Sequence, residues 1–234
     1  MFIHTGSQRT FKHNLQIASL LSFVAGLVNV TGFLSVAQLT TNVTGHFAFF
    51  VDEIFKMNFA KSVVYFLYIF FFFLGSFVSS FLIEWSLKHK QNKSNLIPAI
   101  LEIIILFAIP FFEGEMIGLY PDVVACSLLF AMGLQNSFVT TISNATVRTT
   151  HLTGLFTDLG IELSQLFFYK ESDQRKKLFS SIKLRLTIIS FFFVGGLCGG
   201  IFYDKFGIRL LYSGALVLLI GLVYDYLRLK WTKE

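Results

Sequence analysis

Apolar residues in this chain come in long, nearly uninterrupted blocks. Residues 62–85 contain no charge before Glu84, and residues 96–112 are interrupted only by Glu102. About 20 apolar residues in a helix are enough to cross the hydrocarbon of a membrane. The blocks therefore predict six membrane-spanning helices, at residues 15–36, 62–85, 96–112, 121–142, 184–203 and 209–227.

Two further apolar segments, residues 45–55 and 154–168, are shorter and contain acidic residues. They are predicted to be half-helices, or helical extensions that begin at membrane depth. The pattern as a whole predicts an all-α, polytopic membrane protein. Polar tails, residues 1–14 and 228–234, flank the spans, and the long apolar run after residue 14 favours an uncleaved first span over a signal peptide.

Composition excludes a soluble domain. Of 234 residues, 54% are hydrophobic and 14% charged, and the mean hydropathy is +0.68. A soluble protein carries roughly 25% charged residues, because its surface must be polar. The lipid bilayer is therefore the expected partner. The net charge of +5 does not indicate nucleic-acid binding, because the basic residues lie mostly between the apolar blocks. Cys126 and Cys198 fall inside predicted spans and are expected to have packing roles.

Charges between the spans predict an orientation, since loops rich in Lys and Arg stay in the cytoplasm. Alternate gaps are basic, and the gaps between them are balanced, acidic or only weakly basic. The pattern predicts a multi-pass protein of the inner (plasma) membrane with both termini in the cytoplasm. The basic residues in question are Arg9, Lys12, Lys88, Lys90, Lys93, Arg148, Lys170, Arg175, Lys176, Lys177, Lys183, Arg228, Lys230 and Lys233; the acidic gap contains Glu113, Glu115 and Asp122.

The chain also matches itself in three blocks that occur in the same order. F-V-A-G-L-V-N at residues 23–29 recurs as F-A-M-G-L-Q-N at 130–136. T-T-N-V-T-G-H-F at 40–47 recurs as T-T-H-L-T-G-L-F at 149–156, and F-F-F-L-G at 71–75 recurs as F-F-F-V-G at 191–195. The offsets are 107, 109 and 120. Three collinear matches indicate two related halves, residues 15–112 and 121–227.

Each half holds three predicted spans, and an odd number forces the second half to enter from the opposite side. The prediction is an inverted repeat, which is the arrangement of many secondary transporters. Equivalent motifs then approach a common midplane from opposite faces of the membrane. Small residues four apart, Gly75 with Ser79 and Gly195 with Gly199, are expected to pack helices together.

The repeated T-T-x-x-T-G motif supplies the first candidate binding residues. Glycine permits close backbone approach, and Thr44 and Thr153 precede apolar runs in positions suited to N-caps. A helix that starts inside the membrane presents free N–H groups and favours an anion or a polar solute group. Ordinary helix-start turns at the interface are the alternative. The candidate residues are Thr41, Asn42, Thr44, Gly45, Thr150, His151, Thr153 and Gly154.

Polar and acidic residues within or near the spans supply further candidates. Asn29 and Asn136 are equivalent, and each either bridges helices or faces a polar cavity. Glu53, Asp158 and Glu162 are candidates for coupling transport to a proton or cation, although acids at such positions also occur simply at the water interface. Glu102 lies within the third predicted span. No metal-ligand spacing, no cofactor motif and no enzyme signature is present, so we expect neither a cofactor nor catalysis.

The motifs resemble those of the YoaK family of small bacterial inner-membrane proteins. The resemblance covers nearly the whole chain and is carried by T-T-N-V-T-G, by G-L-Q-N and above all by T-T-H-L-T-G-L-F-T-D-L-G-I-E-L at residues 149–163. It implies six helices and a transport role without an established substrate. One departure is Asn29, which stands where that family usually carries Asp.

Three functions are the main candidates for these features, ahead of an enzyme acting on lipid. The leading expectation is a secondary transporter for a small polar solute or ion, and an anion is one form of such a solute. A channel built on the same repeat is the second, and a structural or sensory membrane protein is the third. Six spans are few for a transport path, so a homodimer is plausible.

Overall fold

The computed structural model describes residue 2 and residues 9–89, 96–112 and 115–231. Within these residues the chain is helical apart from short connections, with no strand, so the predicted all-α class is confirmed. Four helical stretches are long and apolar enough to cross a membrane: Phe11–Val36, Phe59–Lys88, Pro121–Ile142 and Ser172–Arg228. Lys90, Lys93, Glu113 and Lys233, which contribute to the predicted charge pattern, lie outside the described residues.

The helices run in the order α1 (Phe11–Val36), α2 (Val43–Phe55), α3 (Phe59–Lys88), α4 (Ile97–Ala108), α5 (Glu115–Leu119), α6 (Pro121–Ile142), α7 (Leu152–Phe168), α8 (Ser172–Phe206) and α9 (Leu210–Trp231). Short 3₁₀ turns extend α4 and join α8 to α9. The stretch Ser172–Arg228 thus contains both the fifth and the sixth predicted spans. The third predicted span corresponds to the shorter apolar helix Ile97–Phe111. A count of six spans therefore stays a prediction.

Helix α8 is longer than the predicted span within it. The charged segment near residues 170–183, expected as a connecting loop, is helical from Ser172 onward. A helix of 35 residues is about 52 Å long at 1.5 Å per residue, against about 30 Å of hydrocarbon. Its polar first turns therefore extend beyond the apolar part of the bundle.

Left-handed residues end the two helices that precede the repeated motifs. Ala37 caps α1 with φ 53°, and Asn144 and Ala145 follow α6 with φ 52° and 59°. A left-handed residue stops a helix and turns the chain sharply. After α1 and after α6 the chain therefore turns back, so that each motif segment lies against the helix that precedes it.

Two helix pairs make the most extensive contacts in the bundle, α1 with α8 and α3 with α6. In each pair two glycines let the backbones touch, because a Cβ at either position would overlap a carbonyl oxygen. A Cβ on Gly26 would lie 1.9 Å from the oxygen of Phe192, and one on Gly195 would lie 2.0 Å from that of Phe23. Such small-residue contacts are typical of membrane helices.

The second pair makes the same contacts with the matching residues. A Cβ on Gly133 would lie 2.2 Å from the oxygen of Phe72, and one on Gly75 would lie 2.1 Å from that of Phe130. All four glycines and all four carbonyl oxygens come from the first and third repeated blocks. The packing role predicted for the glycines at 75 and 195 is thus confirmed.

The remaining helices pack on these two pairs and on each other. Helix α2 packs on α3 and α7 packs on α8, while α4 and α9 pack on each other and on α6 and α1 respectively. Phe2 is fully buried against this assembly. Its ring stacks on Phe138 with centroids 5.8 Å apart, and its N–H donates to the carboxylate of Asp225 over 2.7 Å.

The outer surface is strongly apolar. One face of α3 exposes a ladder of phenylalanines at Phe66, Phe70, Phe73, Phe77 and Phe81, each 40–60% exposed. A soluble protein rarely exposes so large an apolar surface. The exposed rings therefore support the membrane assignment, because lipid is the solvent that such a face requires.

Candidate functional site

A cavity of about 420 Å³ lies where the two repeated motif segments meet. We call it the central cavity. Side chains from α1, α3, α6 and α8 and from the starts of α2 and α7 form its wall. The lining residues are Asn29, Leu39, Thr41, Asn42, Val43, Thr44, Phe72, Asn136, Thr150, His151, Leu152, Thr153 and Phe192.

Eight of the ten predicted binding residues lie on this wall. The two exceptions are the motif glycines. Gly45 donates its N–H to the side chain of Asn42 over 2.9 Å, and Gly154 borders a neighbouring cavity instead. A Cβ on Gly154 would lie 2.2 Å from the imidazole of His151. Both glycines therefore leave room for a wall residue and are not themselves on the wall.

The prediction that Thr44 and Thr153 are N-caps is wrong. Helix α2 begins at Val43 and is capped by Asn42, whose side-chain oxygen accepts the Gly45 N–H. Helix α7 begins at Leu152, and its N-cap His151 makes no side-chain capping bond. Asparagine is as good a cap as any residue, so α2 starts two residues earlier than expected. The first N–H groups of α7, in contrast, have no side-chain cap.

The first threonine of each motif ties its segment back to the preceding helix. Thr40 donates to the carbonyl of Val28 over 3.3 Å. Its counterpart Thr149 accepts from Gln135 over 2.9 Å, and Gln135 also donates to the carbonyl of Leu21 in α1. Both threonines are fully buried. These bonds hold both motif segments deep in the bundle, so the following helices start inside it.

Asn29 and Asn136 both face the central cavity but differ in their hydrogen bonds. The side-chain oxygen of Asn29 accepts from the hydroxyl of Thr41 over 2.7 Å. The side-chain oxygen of Asn136 is buried and has no hydrogen-bond partner among the described residues. A buried amide oxygen without a partner is costly, and this distinguishes Asn136 from Asn29.

Two further cavities adjoin the central one. The first, about 380 Å³, is lined by Ser76, Asn136, Ser137, Thr140, Thr141, Arg148 and His151, and we call it the hydroxyl cavity. The second, about 370 Å³, is lined by Ala145, Thr146, Arg148, His151, Gly154, Leu155, Asp158, Ser181, Leu184 and Arg185, and we call it the Arg185 cavity. His151 borders all three cavities. The hydroxyl cavity thus lies towards α3 and α6, and the Arg185 cavity lies towards α7 and α8.

Arg185 holds two of the three predicted coupling acids. Its Nε and Nη2 donate to the two oxygens of Glu162 over 2.8 and 2.9 Å, and its Nη1 donates to Asp158 over 2.9 Å. Ser181 adds a bond to Glu162 over 2.6 Å. Arg185 is not among the residues predicted from the sequence. Two signals point to it in retrospect: its position in the first turn of a predicted span, and two acids four residues apart on one helical face.

This ion-pair cluster is expected to stabilise the bundle. The Arg185→Met variant leaves two carboxylates close together without their shared cation, and the Arg185 and Glu162 side chains are only 22% and 12% exposed. We expect a loss of about 2 kcal/mol, which is less than for a fully buried pair because Asp158 is half exposed. Thermal unfolding in detergent measures this loss of stability.

The matched control is Lys176→Met, which removes an ion pair with Asp173 at 3.9 Å between fully exposed side chains. Exposed pairs contribute little, so this variant should melt like the wild type. Removing both acids together with Arg185 should recover part of the stability that the Arg185→Met variant loses. An Arg185→Met variant that melts like the wild type would contradict the stabilising role.

At two positions of this cluster the first half holds aromatic rings instead. By the offsets of the repeated blocks, Phe49 and Tyr65 are the counterparts of Asp158 and Arg185, and their ring centroids are 5.3 Å apart. His46 is fully buried beside them, with Nε2 2.6 Å from the carbonyl oxygen of Leu39. Where the second half pairs Arg185 with Asp158, the first half therefore packs two rings together.

Glu53, the third coupling candidate, lies apart from the three cavities. It is near the end of α2, 4.0 Å from Lys56. Lys56 itself is exposed, and its pKa is raised chiefly by a hydrogen bond to Asp52 and by the charge of that carboxylate. The structure therefore groups Asp158 with Glu162 but leaves Glu53 separate from them.

Within the part of the chain that the structure describes, no three His, Cys, Asp or Glu side chains come together as metal ligands would. Glu102 is fully buried, and neither of its oxygens has a described partner. It borders none of the three cavities.

A comparison with known protein families assigns the chain to one of them. A family model described as "Protein of unknown function (DUF1275)" matches residues 17–224. The chain belongs to this family. No curated protein and no solved structure matches the chain. The DUF1275 match confirms the resemblance to a family of small membrane proteins without an assigned function, and it includes every residue that lines the three cavities of this DUF1275 protein.

Proposed function

We propose that this DUF1275 protein is a secondary transporter for a small polar solute across the bacterial inner membrane. It would have six spans, both termini in the cytoplasm and two halves inserted in opposite directions. The observation that carries the proposal is the central cavity, on whose wall both T-T-x-x-T-G segments and both repeat asparagines lie. Polar groups converging on a cavity between two related halves are typical of such transporters.

The composition of the wall supports two equivalent halves. Twelve of the thirteen lining residues form six pairs under the offsets of the repeated blocks; the exception is Leu39. The pairs are Asn29 with Asn136, Thr41 with Thr150, Asn42 with His151, Val43 with Leu152, Thr44 with Thr153, and Phe72 with Phe192. A solute bound among such pairs is contacted similarly from both halves. Rocking of one half against the other can then expose it to either face.

The difference between the halves supports alternating access. In the second half, the Arg185 cavity lies beside the central cavity and shares His151 with it. In the first half, the positions equivalent to Leu155, Asp158 and Arg185 are occupied by the buried His46 and by the ring pair of Phe49 and Tyr65. The two halves thus differ at equivalent positions, one with a cavity and one packed, as one state of an alternating-access cycle requires.

The carboxylates of Asp158 and Glu162 remain our proposed coupling groups. Both are held by Arg185, so a proton or cation can act there only if the guanidinium releases one of them. Asp158 accepts a single bond and is 49% exposed, whereas Glu162 accepts three bonds and is 12% exposed. Asp158 is therefore the group that is more easily released.

A panel of labelled solutes tests the proposal directly. Purified protein in liposomes is supplied with amino acids, small carboxylates, phosphate and sugars, under imposed proton and sodium gradients. We expect saturable uptake of at least one solute. Conductance without saturation would indicate a channel instead. No uptake of any solute under any gradient, together with no ligand-induced thermal shift, would favour a structural or sensory membrane protein.

A further inference from the structure

The hydroxyl cavity has an unusual balance of charge. Its wall contains Arg148 and His151 but no carboxylate, and its other members are hydroxyl and amide side chains. The hydroxyls of Ser137, Thr140 and Thr141 take part in no hydrogen bond with the described residues. Ser76 is the exception, because its hydroxyl donates to the carbonyl of Gly133 over 3.2 Å. The wall therefore offers free donors around one cation.

Arg148 is exposed, borders two cavities and makes no ion pair and no hydrogen bond within the described chain. Asp158, which shares the Arg185 cavity with it, is already held by Arg185, as is Glu162. A guanidinium that faces two cavities without a fixed counter-ion is well suited to a mobile one. Its planar fork matches the two oxygens of a carboxylate, phosphate or sulfate.

We propose that the hydroxyl cavity is an oxyanion-binding site in which Arg148 holds two oxygens of the ligand and Ser137, Thr140 and Thr141 donate hydrogen bonds to it. Asn136 and His151 border both this cavity and the central one, so the bound anion lies next to the proposed solute site. The inference rests on the proposed function and makes a small oxyanion its substrate class. The same chemistry would also fit the phosphate of a lipid headgroup.

Thermal unfolding of delipidated protein in detergent tests the site. The probes are potassium acetate, phosphate and sulfate, each compared with potassium chloride at the same ionic strength, and glucose is the neutral control. We expect at least one oxyanion probe to raise the midpoint, because a ligand that binds only the folded state stabilises it. Dioleoylphosphatidylglycerol, compared with dioleoylphosphatidylcholine, is added in a separate arm.

The deciding variants differ only at single cations. Arg148→Gln should weaken binding of the active probe at least about tenfold, as expected for loss of a charge-assisted pair. Arg148→Lys keeps the charge and should bind with intermediate affinity. Lys177→Gln removes an equal charge from the exposed part of α8 and should bind like the wild type. Melting without probe shows first that each variant is folded, and the Lys variant replaces the Gln variant if the latter is not.

Each outcome has a definite meaning. A response to a soluble oxyanion that depends on Arg148 supports the site with a free solute as ligand. A response to phosphatidylglycerol alone that depends on Arg148 supports the site with a headgroup as ligand. No response to any anion, or an equal response in Arg148→Gln, overturns the inference. Saturable uptake of a neutral solute in the liposome panel would then leave the proposed function intact.

Discussion

The Gly26→Ala variant is expected to lose about 3 kcal/mol or more of stability, a large effect for the addition of a single methyl group. A Cβ at this position lies 1.9 Å from the carbonyl oxygen of Phe192. Both atoms belong to backbone or are fixed to it, so neither can rotate away. The α1 and α8 helices must move apart, and contacts along the whole pair are lost with them. Thermal or denaturant unfolding in detergent measures the loss.

Two further alanine variants make this prediction specific. Gly133→Ala should lose a similar amount, because its Cβ would lie 2.2 Å from the oxygen of Phe72 in the matching helix pair. Gly160→Ala is the control: it is helical, within α7, and a Cβ there meets nothing within 4 Å. Alanine is the better helix former by about 1 kcal/mol, so this variant should be at least as stable as the wild type. Equal behaviour of all three variants would refute the predicted close backbone contact.

Replacing Asn136 with leucine is expected to reduce solute uptake about tenfold to a hundredfold without unfolding the protein. The side-chain oxygen of Asn136 is buried without a partner among the described residues, and the residue borders both the central and the hydroxyl cavities. Leucine removes the polar group and puts a branched apolar chain into the same space. A lost hydrogen bond that leaves a ligand group unpaired has an effect of this size. Initial uptake rates into liposomes measure it.

Gln16→Leu is the matched control, because Gln16 also carries a buried amide oxygen without a described partner but borders none of the three cavities. Its uptake should equal that of the wild type. If both leucine variants transport normally, Asn136 does not contribute to the solute site. If both lose activity equally, the loss reflects a general response to removing an amide, and the assigned role of Asn136 is wrong.

The helices and the motif residues were predictable because their signals are local. Long apolar blocks predict membrane helices without any tertiary information, and the repeated blocks pointed to the glycine contacts and to the cavity. Asn29 and Asn136 were selected because an amide within an apolar helix needs an explanation. Eight of the ten candidate residues then lie on one wall, since a repeated motif tends to keep its place in both copies of the fold.

The features that escaped prediction depend on packing or on small energy differences. Whether Asn42 or Thr44 caps α2 depends on a few tenths of a kcal/mol between good caps. The role of Arg185 depends on the packing of α7 on α8, which brings Asp158 and Glu162 next to its guanidinium. The buried position of Phe2 depends on partners in α6 and α9 that are distant in sequence. No local pattern encodes such partners.

Cysteine labelling from one side of the membrane tests the central claim, that the two halves are inserted in opposite directions around a shared cavity. Cysteines are placed at Met57, between α2 and α3, and at Lys170, between α7 and α8, after Cys126 and Cys198 have been replaced by alanine. In intact cells, a membrane-impermeant maleimide should label the cysteine at position 57, whereas that at position 170 should react only after the membrane is permeabilised. Labelling of both positions from the same side would contradict the inverted arrangement.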